Sequence, residues 1–334
     1  MRITREKLLK LAKTQTAMRV MQNRRLVCIY LTGSLLDEEP LLGGTADIDL
    51  IFVHDTPPPQ EREIVPLSAE VHLDIAHVSQ EQYQQPRSLR SDPWLGSFLC
   101  HNPLVLHERG HWFEFVQAGV CAHFYRPETI LQRVQPQLDA ARQGWMTLQS
   151  AAGLDVFQRT ALYLRTLRQT ANAVACLCGP PLTERRLLLH FPQRAQAVRR
   201  PELSAGLIAL LSGGTDLLAE AQTPQWFETW QTALGDAGQT SQHPPSLHPA
   251  RLAYYTRAAQ ALWSETPAAA LWIVLRTWCA ALDCLPADHA SRPAFISLCR
   301  SLALDPLEER LEALDVYLDT VEEMIEGWAR ENGL

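Results

Sequence analysis

The chain has 334 residues, with 30 basic and 37 acidic side chains, a net charge of −7 and 46% apolar residues. That length exceeds what a single hydrophobic core usually serves, so two domains are expected. The acidity weighs against a nucleic-acid substrate, whose affinity comes mainly from Lys and Arg on phosphates; lysine occurs only at Lys7, Lys10 and Lys13.

In chain order, residues 4–21 carry apolar side chains at helical spacing and predict an amphipathic helix. Leu26-Val27-Cys28-Ile29-Tyr30-Leu31 reads as a buried strand that runs into the turn Thr32-Gly33-Ser34. Glycine lets such a turn take positive φ and approach a ligand closely, while the serine hydroxyl and the following amides donate to phosphate oxygens. Asp37-Glu38-Glu39 then decorates an exposed loop. The run Asp47-Ile48-Asp49-Leu50-Ile51-Phe52-Val53 reads as a strand that ends at the turn-forming Asp55-Thr56-Pro57-Pro58-Pro59. Alternation places Asp47 and Asp49 on one face, roughly 7 Å apart at the backbone, and turns Ile48 and Leu50 into a core. Residues 70–78 alternate too, with Glu70, His72 and Asp74 on one side and Val71, Leu73 and Ile75 on the other. Asp74 can therefore complete an acidic site from a neighbouring strand.

Carboxylates crowded on one face repel each other, a cost that folding tolerates chiefly when a cation neutralises them. Oxygen-only ligands favour magnesium, which takes one or two carboxylates together with substrate phosphates. Zinc fits less well, because His54, His72 and His77 have no cysteine beside them and match no zinc spacing. His72, in phase with Asp74, reads as a packed or supporting side chain rather than a catalytic one.

Farther along, the aromatic group Trp112, Phe113 and Phe115 is expected to pack a domain junction. From Pro127 onward the pattern is helical, with segments 129–151, 156–177, 249–264, 268–285 and 307–329. The boundary is placed near Gly119, giving a mixed domain over 1–118 and a helical domain over 119–334, subdivided by a linker at 235–249. Arg185-Arg186 and the arginines of 194–200 read as solvated or ion-paired helix faces. Segment 268–285, the most apolar, is interrupted by Arg276 and Asp283. No membrane span or signal segment is expected, which points to a cytoplasmic protein. The eight cysteines show no paired framework and are expected as reduced, mostly buried thiols.

Taken together, Gly33-Ser34, Asp47-Ile48-Asp49 and the later Asp74 resemble the DNA polymerase β-type nucleotidyltransferase superfamily. They look most similar to its small-substrate members, the kanamycin and other aminoglycoside nucleotidyltransferases. The resemblance covers about the first third of the chain and extends to Pro103-Leu104-Val105-Leu106-His107-Glu108-Arg109-Gly110, similar to a late strand and turn of that domain. The chain departs from the pattern at Thr45-Ala46, where many members have Ser-Asp, and in a longer loop before it. The resemblance implies an α/β (α+β) domain with a mixed sheet, followed by an all-α domain that closes over the cleft. It implies that Asp47 and Asp49 hold two Mg2+ ions, that Asp74 holds one of them, and that Gly33 and Ser34 bind the β,γ-phosphates.

The activity so implied moves a nucleoside monophosphate, AMP from ATP in the simplest case, to a hydroxyl of a small-molecule acceptor and releases pyrophosphate. Asp74 is placed to serve as base. A glutamate of the helical domain is the alternative, with Glu128, Glu184 and Glu202 left undecided. Two other readings stay open: an adenylyltransferase that modifies a protein, and a non-catalytic nucleotide-binding regulator.

Overall fold

The structure, a computed structural model, describes residues 3–150, 153–214, 223–241 and 243–334. Met1 and Arg2 of the expected amino terminus, Ala151 of the expected helix 129–151 and Gln242 of the expected linker lie outside them.

Helix α1 (Arg5–Gln22) starts where the Thr4 side chain accepts the Lys7 N–H, at 3.4 Å, and buries Leu8, Ala12 and Thr16 at four-residue spacing. The strands are β1 (Leu26–Thr32), β2 (Ala46–His54), β3 (Arg62–Pro66), β4 (Val71–Ser79) and β5 (Leu104–Glu108). Short helices α2 (Pro86–Ser91) and α3 (Leu95–Cys100) lie between β4 and β5, and α4 (Trp112–Phe124) follows β5. The strands form one mixed sheet in the order β3-β4-β2-β1-β5, with β2 and β4 parallel and the other pairs antiparallel.

Period-two alternation gives this sheet two different faces. One carries Ile29, Leu31, Ile48, Leu50, Phe52, Leu73 and Ile75 onto Leu8 and Ala12 of α1. The other carries Tyr30, Ile51 and Val53 onto Tyr83, Leu99, Phe113 and Val120. Asp47 and Asp49 are in phase with Ile51 and Val53, two and four residues nearer the start of β2. A one-residue slip of β2 would exchange Ile48 and Leu50 for these acids in the α1 core. Each aliphatic side chain buried there contributes roughly 1.5–3 kcal/mol, so the register is strongly fixed.

The aromatic group expected at a domain junction packs inside this first unit instead. Phe113 lies 5.0 Å from the Tyr30 ring and Trp112 lies 5.1 Å from Tyr83, while Phe115 is exposed. A second correction concerns the cysteines. Cys100, at the end of α3, and Cys121, in α4, form a disulfide, whereas Cys28, Cys176, Cys279 and Cys299 are buried thiols. The pairing joins two helices, so no local cysteine spacing announces it.

The chain divides into two compact units, Met1–Thr129 and Ile130–Leu334. The division falls beyond Gly119 because that residue lies within α4, whose Phe113, Val120 and Phe124 belong to the first unit's core.

The helices from the division onward are α5 (Pro127–Gln149), α6 (Val156–Cys176), α7 (Leu187–Ala197), α8 (Glu202–Ser212), α9 (Thr223–Gly238), α10 (Leu252–Leu262), α11 (Pro267–Cys284), α12 (Arg292–Ser301) and α13 (Glu308–Glu331). In the second unit α11 packs against α6, α7, α8, α9 and α10. It is long and apolar enough by composition to cross a membrane, yet 67% of it is buried within the protein. Trp272 and Trp278 are fully buried, and its Arg276 pairs with Glu184 at 2.8 Å. These are the contacts of a core helix.

Two further expectations change here. Gly235, at the start of the expected linker, lies inside α9, and α9 packs on α11, so the helical part is a single unit. Arg185 is buried rather than solvated, with its guanidinium 3.5 Å from the Tyr254 ring centroid and a hydrogen bond to the Tyr254 carbonyl at 3.1 Å.

Candidate active site

The acidic site begins with the turn that follows β1. Thr32 is extended, Gly33 takes φ +76°, and Gly33–Leu36 forms a short 3-10 turn closed by a hydrogen bond from the Asp37 N–H to the Ser34 carbonyl at 3.0 Å. Arg5 of α1 secures it by donating to the Leu35 carbonyl at 3.0 Å and the Leu36 carbonyl at 3.2 Å. Leu35 is buried in the α1 core, which leaves Gly33 and Ser34 half-buried at the end of the sheet.

Antiparallel register sets Thr32 opposite Asp49, and parallel register sets Asp49 beside Asp74. Neighbouring strands lie about 4.8 Å apart, so the β2 and β4 carboxylates meet as a consequence of pairing alone. Asp47 joins from two residues earlier on the same face. One carboxylate oxygen from each of Asp47, Asp49 and Asp74 lies within 4.8 Å of the others. Asp47 and Asp74 are buried and Asp49 is half-buried.

Gly33 is fitted to this group. A Cβ at that position would stand 2.0 Å from Asp49 Oδ2 and 2.8 Å from its Cγ, so the Asp49 carboxylate lies directly against the glycine backbone. The start of β2 is held by a second turn, in which Leu42 and Thr45 exchange backbone hydrogen bonds at 3.1 and 3.2 Å across Gly43 and Gly44, both at positive φ. The Thr45 hydroxyl also donates to the Leu42 carbonyl at 2.8 Å. The long loop before Asp47 therefore ends in a tight turn that aims the acidic strand.

The arginine on β3 was not anticipated. Arg62 Nε donates to Asp74 Oδ1 and Arg62 Nη2 to Asp74 Oδ2, both at 2.6 Å. The sequence signal was weak: Arg62-Glu63-Ile64-Val65 is a short run after a proline-rich turn, and its charges hide its strand character. Arg62 brings one positive charge to three carboxylates. At an effective dielectric constant of about 20, two carboxylates 4.8 Å apart repel by roughly 3 kcal/mol. The three carboxylates offer an oxygen-only donor set, which suits a hard divalent cation.

The histidines separate into two groups. His72 is buried beside Asp47 in register. His54 and His77 belong to the opposite, α1-facing side, where His77 meets the Phe52 ring at 5.5 Å. There His54 Nε2 contacts His77 Nδ1 at 3.0 Å, His77 Nε2 contacts Glu63 at 3.3 Å, and Glu63 receives Arg19 of α1 at 2.6 Å.

Burial lowers the proton affinity of His54, with further lowering from His77 and partial compensation from Asp55. Burial also lowers that of His77, against an opposing pull from Glu63. In the unfolded chain both imidazoles regain their ordinary affinity, so at and below about pH 6.5 the unfolded state binds more protons and stability falls as the pH is lowered. Chemical denaturation should show full stability above about pH 7 and a progressive loss as the pH falls below about 6.5. His77→Gln should flatten that slope, and an unchanged slope would exclude the pair as its source.

A further group, Glu108, His111 and Glu114, is mostly exposed at the start of α4. Glu108 accepts the Phe113 N–H at 3.0 Å, which is ordinary capping of a helix terminus. Of the glutamates considered as base, Glu184 is engaged by Arg276 and Arg168, Glu202 pairs with Arg200, and Glu128 lies exposed in the first turn of α5. No protein-family model and no curated protein matches the chain.

Proposed function

We propose that the first unit is a nucleotidyltransferase domain whose three aspartates hold Mg2+ and whose Gly33-Ser34 turn holds a nucleoside triphosphate. One observation carries this reading: Asp47, Asp49 and Asp74 converge within 4.8 Å on the sheet face that ends at Gly33. Asp47 and Asp49 would hold two ions and Asp74 one of them. Magnesium, when bound, neutralises a triphosphate and lowers the pKa of an attacking hydroxyl.

The remaining work falls to the chain itself. The Ser34 hydroxyl and the amides that open the turn would donate to the β,γ-phosphates. The close approach of Gly33 to Asp49 would keep phosphate and carboxylates in adjacent positions, so that binding energy goes into orientation. An acceptor hydroxyl would then attack the α-phosphorus and pyrophosphate would leave. While Asp74 carries Arg62 on both oxygens, each is already engaged by a guanidinium N–H and is not open to an acceptor hydroxyl. Acidity of the chain supports a small-molecule acceptor over nucleic acid.

The test is Mg2+-dependent release of pyrophosphate from ATP with fractionated small-molecule extract as the source of acceptor. The reading predicts release that requires both extract and metal. Label transferred from α-labelled ATP to a protein would instead support the protein-modifying alternative. Failure of ATP and Mg2+ together to raise the melting temperature would contradict nucleotide binding altogether.

A further inference from the structure

Arg62 carries an inference that rests on the metal-binding reading above. Asp74 is 3% exposed, and both of its carboxylate oxygens accept from one guanidinium. Such a fork is the strongest geometry an arginine and a carboxylate adopt. Its two partners are unequally placed. The Arg62 side chain is 46% exposed and that of Asp74 is 2% exposed. Arg62 also opens β3, the edge strand of the sheet, immediately after the loop containing Pro57, Pro58 and Pro59. Register places Ile64 opposite Asp74 and Arg62 opposite Ala76, so the guanidinium reaches diagonally back along the acidic face.

The consequence follows from solvation. Arg62, with its side chain 46% exposed at the sheet edge, can turn toward water, whereas Asp74 is held inside the sheet and stays where an entering ion would meet it. Metal and guanidinium would compete for the same Asp74 oxygens. We propose that Arg62 is a displaceable counter-cation, which holds Asp74 in place without metal and yields at least one carboxylate oxygen when a divalent ion enters. Arg62 thereby sets the metal affinity of the site, keeping the acids assembled at the expense of weaker binding.

A permanent structural bridge would behave in the opposite way: removing it would disorder Asp74 and weaken metal binding. The experiment is a titration with Mn2+, read by the electron paramagnetic resonance of the free ion, on wild type, Arg62→Gln, Asp74→Asn and the Arg62→Gln/Asp74→Asn double variant. Thermal melting with and without Mn2+ accompanies it. Arg62→Gln should bind Mn2+ at least tenfold more tightly than wild type, melt lower without metal and gain more on its addition. The double variant should lose the tightening. If Arg62→Gln does not fold without metal, Arg62→Lys, which keeps the charge but not the fork, should show a smaller tightening. Equal or weaker Mn2+ binding by Arg62→Gln or Arg62→Lys overturns the proposal while leaving the metal site intact. Binding that Asp47→Asn and Asp49→Asn leave unchanged overturns the metal site, and the Arg62 role with it.

Discussion

Asp47→Asn and Asp49→Asn should each reduce Mg2+-dependent pyrophosphate release about a thousandfold, without loss of folding stability. The magnitude follows from the several kcal/mol of charge stabilisation that a bound metal supplies, at tenfold in rate per about 1.4 kcal/mol. Stability should hold, or rise, because each substitution removes one carboxylate from a group in which all three lie within 4.8 Å. Asparagine keeps the shape of the side chain and its place on β2, so altered packing does not compete as an explanation. Steady-state release assays and thermal melts on the same preparations check both halves. A variant that keeps more than a tenth of wild-type activity would remove that aspartate from the site. A large fall in melting temperature would mean that the acids are structural.

Gly33→Ala should damage both the fold and the site. At φ +76°, alanine pays roughly 1–2 kcal/mol for the left-handed conformation, before any contact is considered. Its Cβ would also lie 2.0 Å from Asp49 Oδ2, a distance that forces the carboxylate or the turn to move. Because Arg5 ties the following residues to α1 and Leu35 is buried, the turn has little freedom, and the displacement falls on Asp49. The expected result is a melting temperature lower by several degrees, together with loss of Mn2+ and ATP binding. Ser34→Ala serves as the comparison. It should keep the fold and the metal while weakening ATP about tenfold through one lost hydrogen bond to phosphate. If Gly33→Ala binds Mn2+ and ATP as wild type does, the closeness of glycine and carboxylate has no functional meaning.

The parts of this site that could be read from sequence are those governed by strand periodicity. Asp47, Asp49 and Asp74 alternate with Ile48, Leu50, Leu73 and Ile75, and the same alternation that buries the aliphatic side chains in the α1 core brings the acids together. Gly33 was legible as a turn residue, but its contact with Asp49 depends on β1–β2 register. Arg62 escaped notice because β3 is a five-residue edge strand with Arg and Glu at its start and Pro at its end, a composition that reads as loop. The Cys100–Cys121 pair escaped because α3 and α4 meet only in the tertiary structure. Several helices of the second unit were missed for local reasons. In α7, Pro192 interrupts the pattern, and α9 runs on through Gly235 to Gly238, where glycine suggested a linker.

The most direct test is an anomalous-diffraction structure of the protein crystallised with Mn2+ and a non-hydrolysable ATP analogue. The predicted result is manganese about 2 Å from oxygens of Asp47 and Asp49, with the β,γ-phosphates on the Gly33-Ser34 turn. Manganese absent from these carboxylates, or a nucleotide bound elsewhere on the protein, would contradict it.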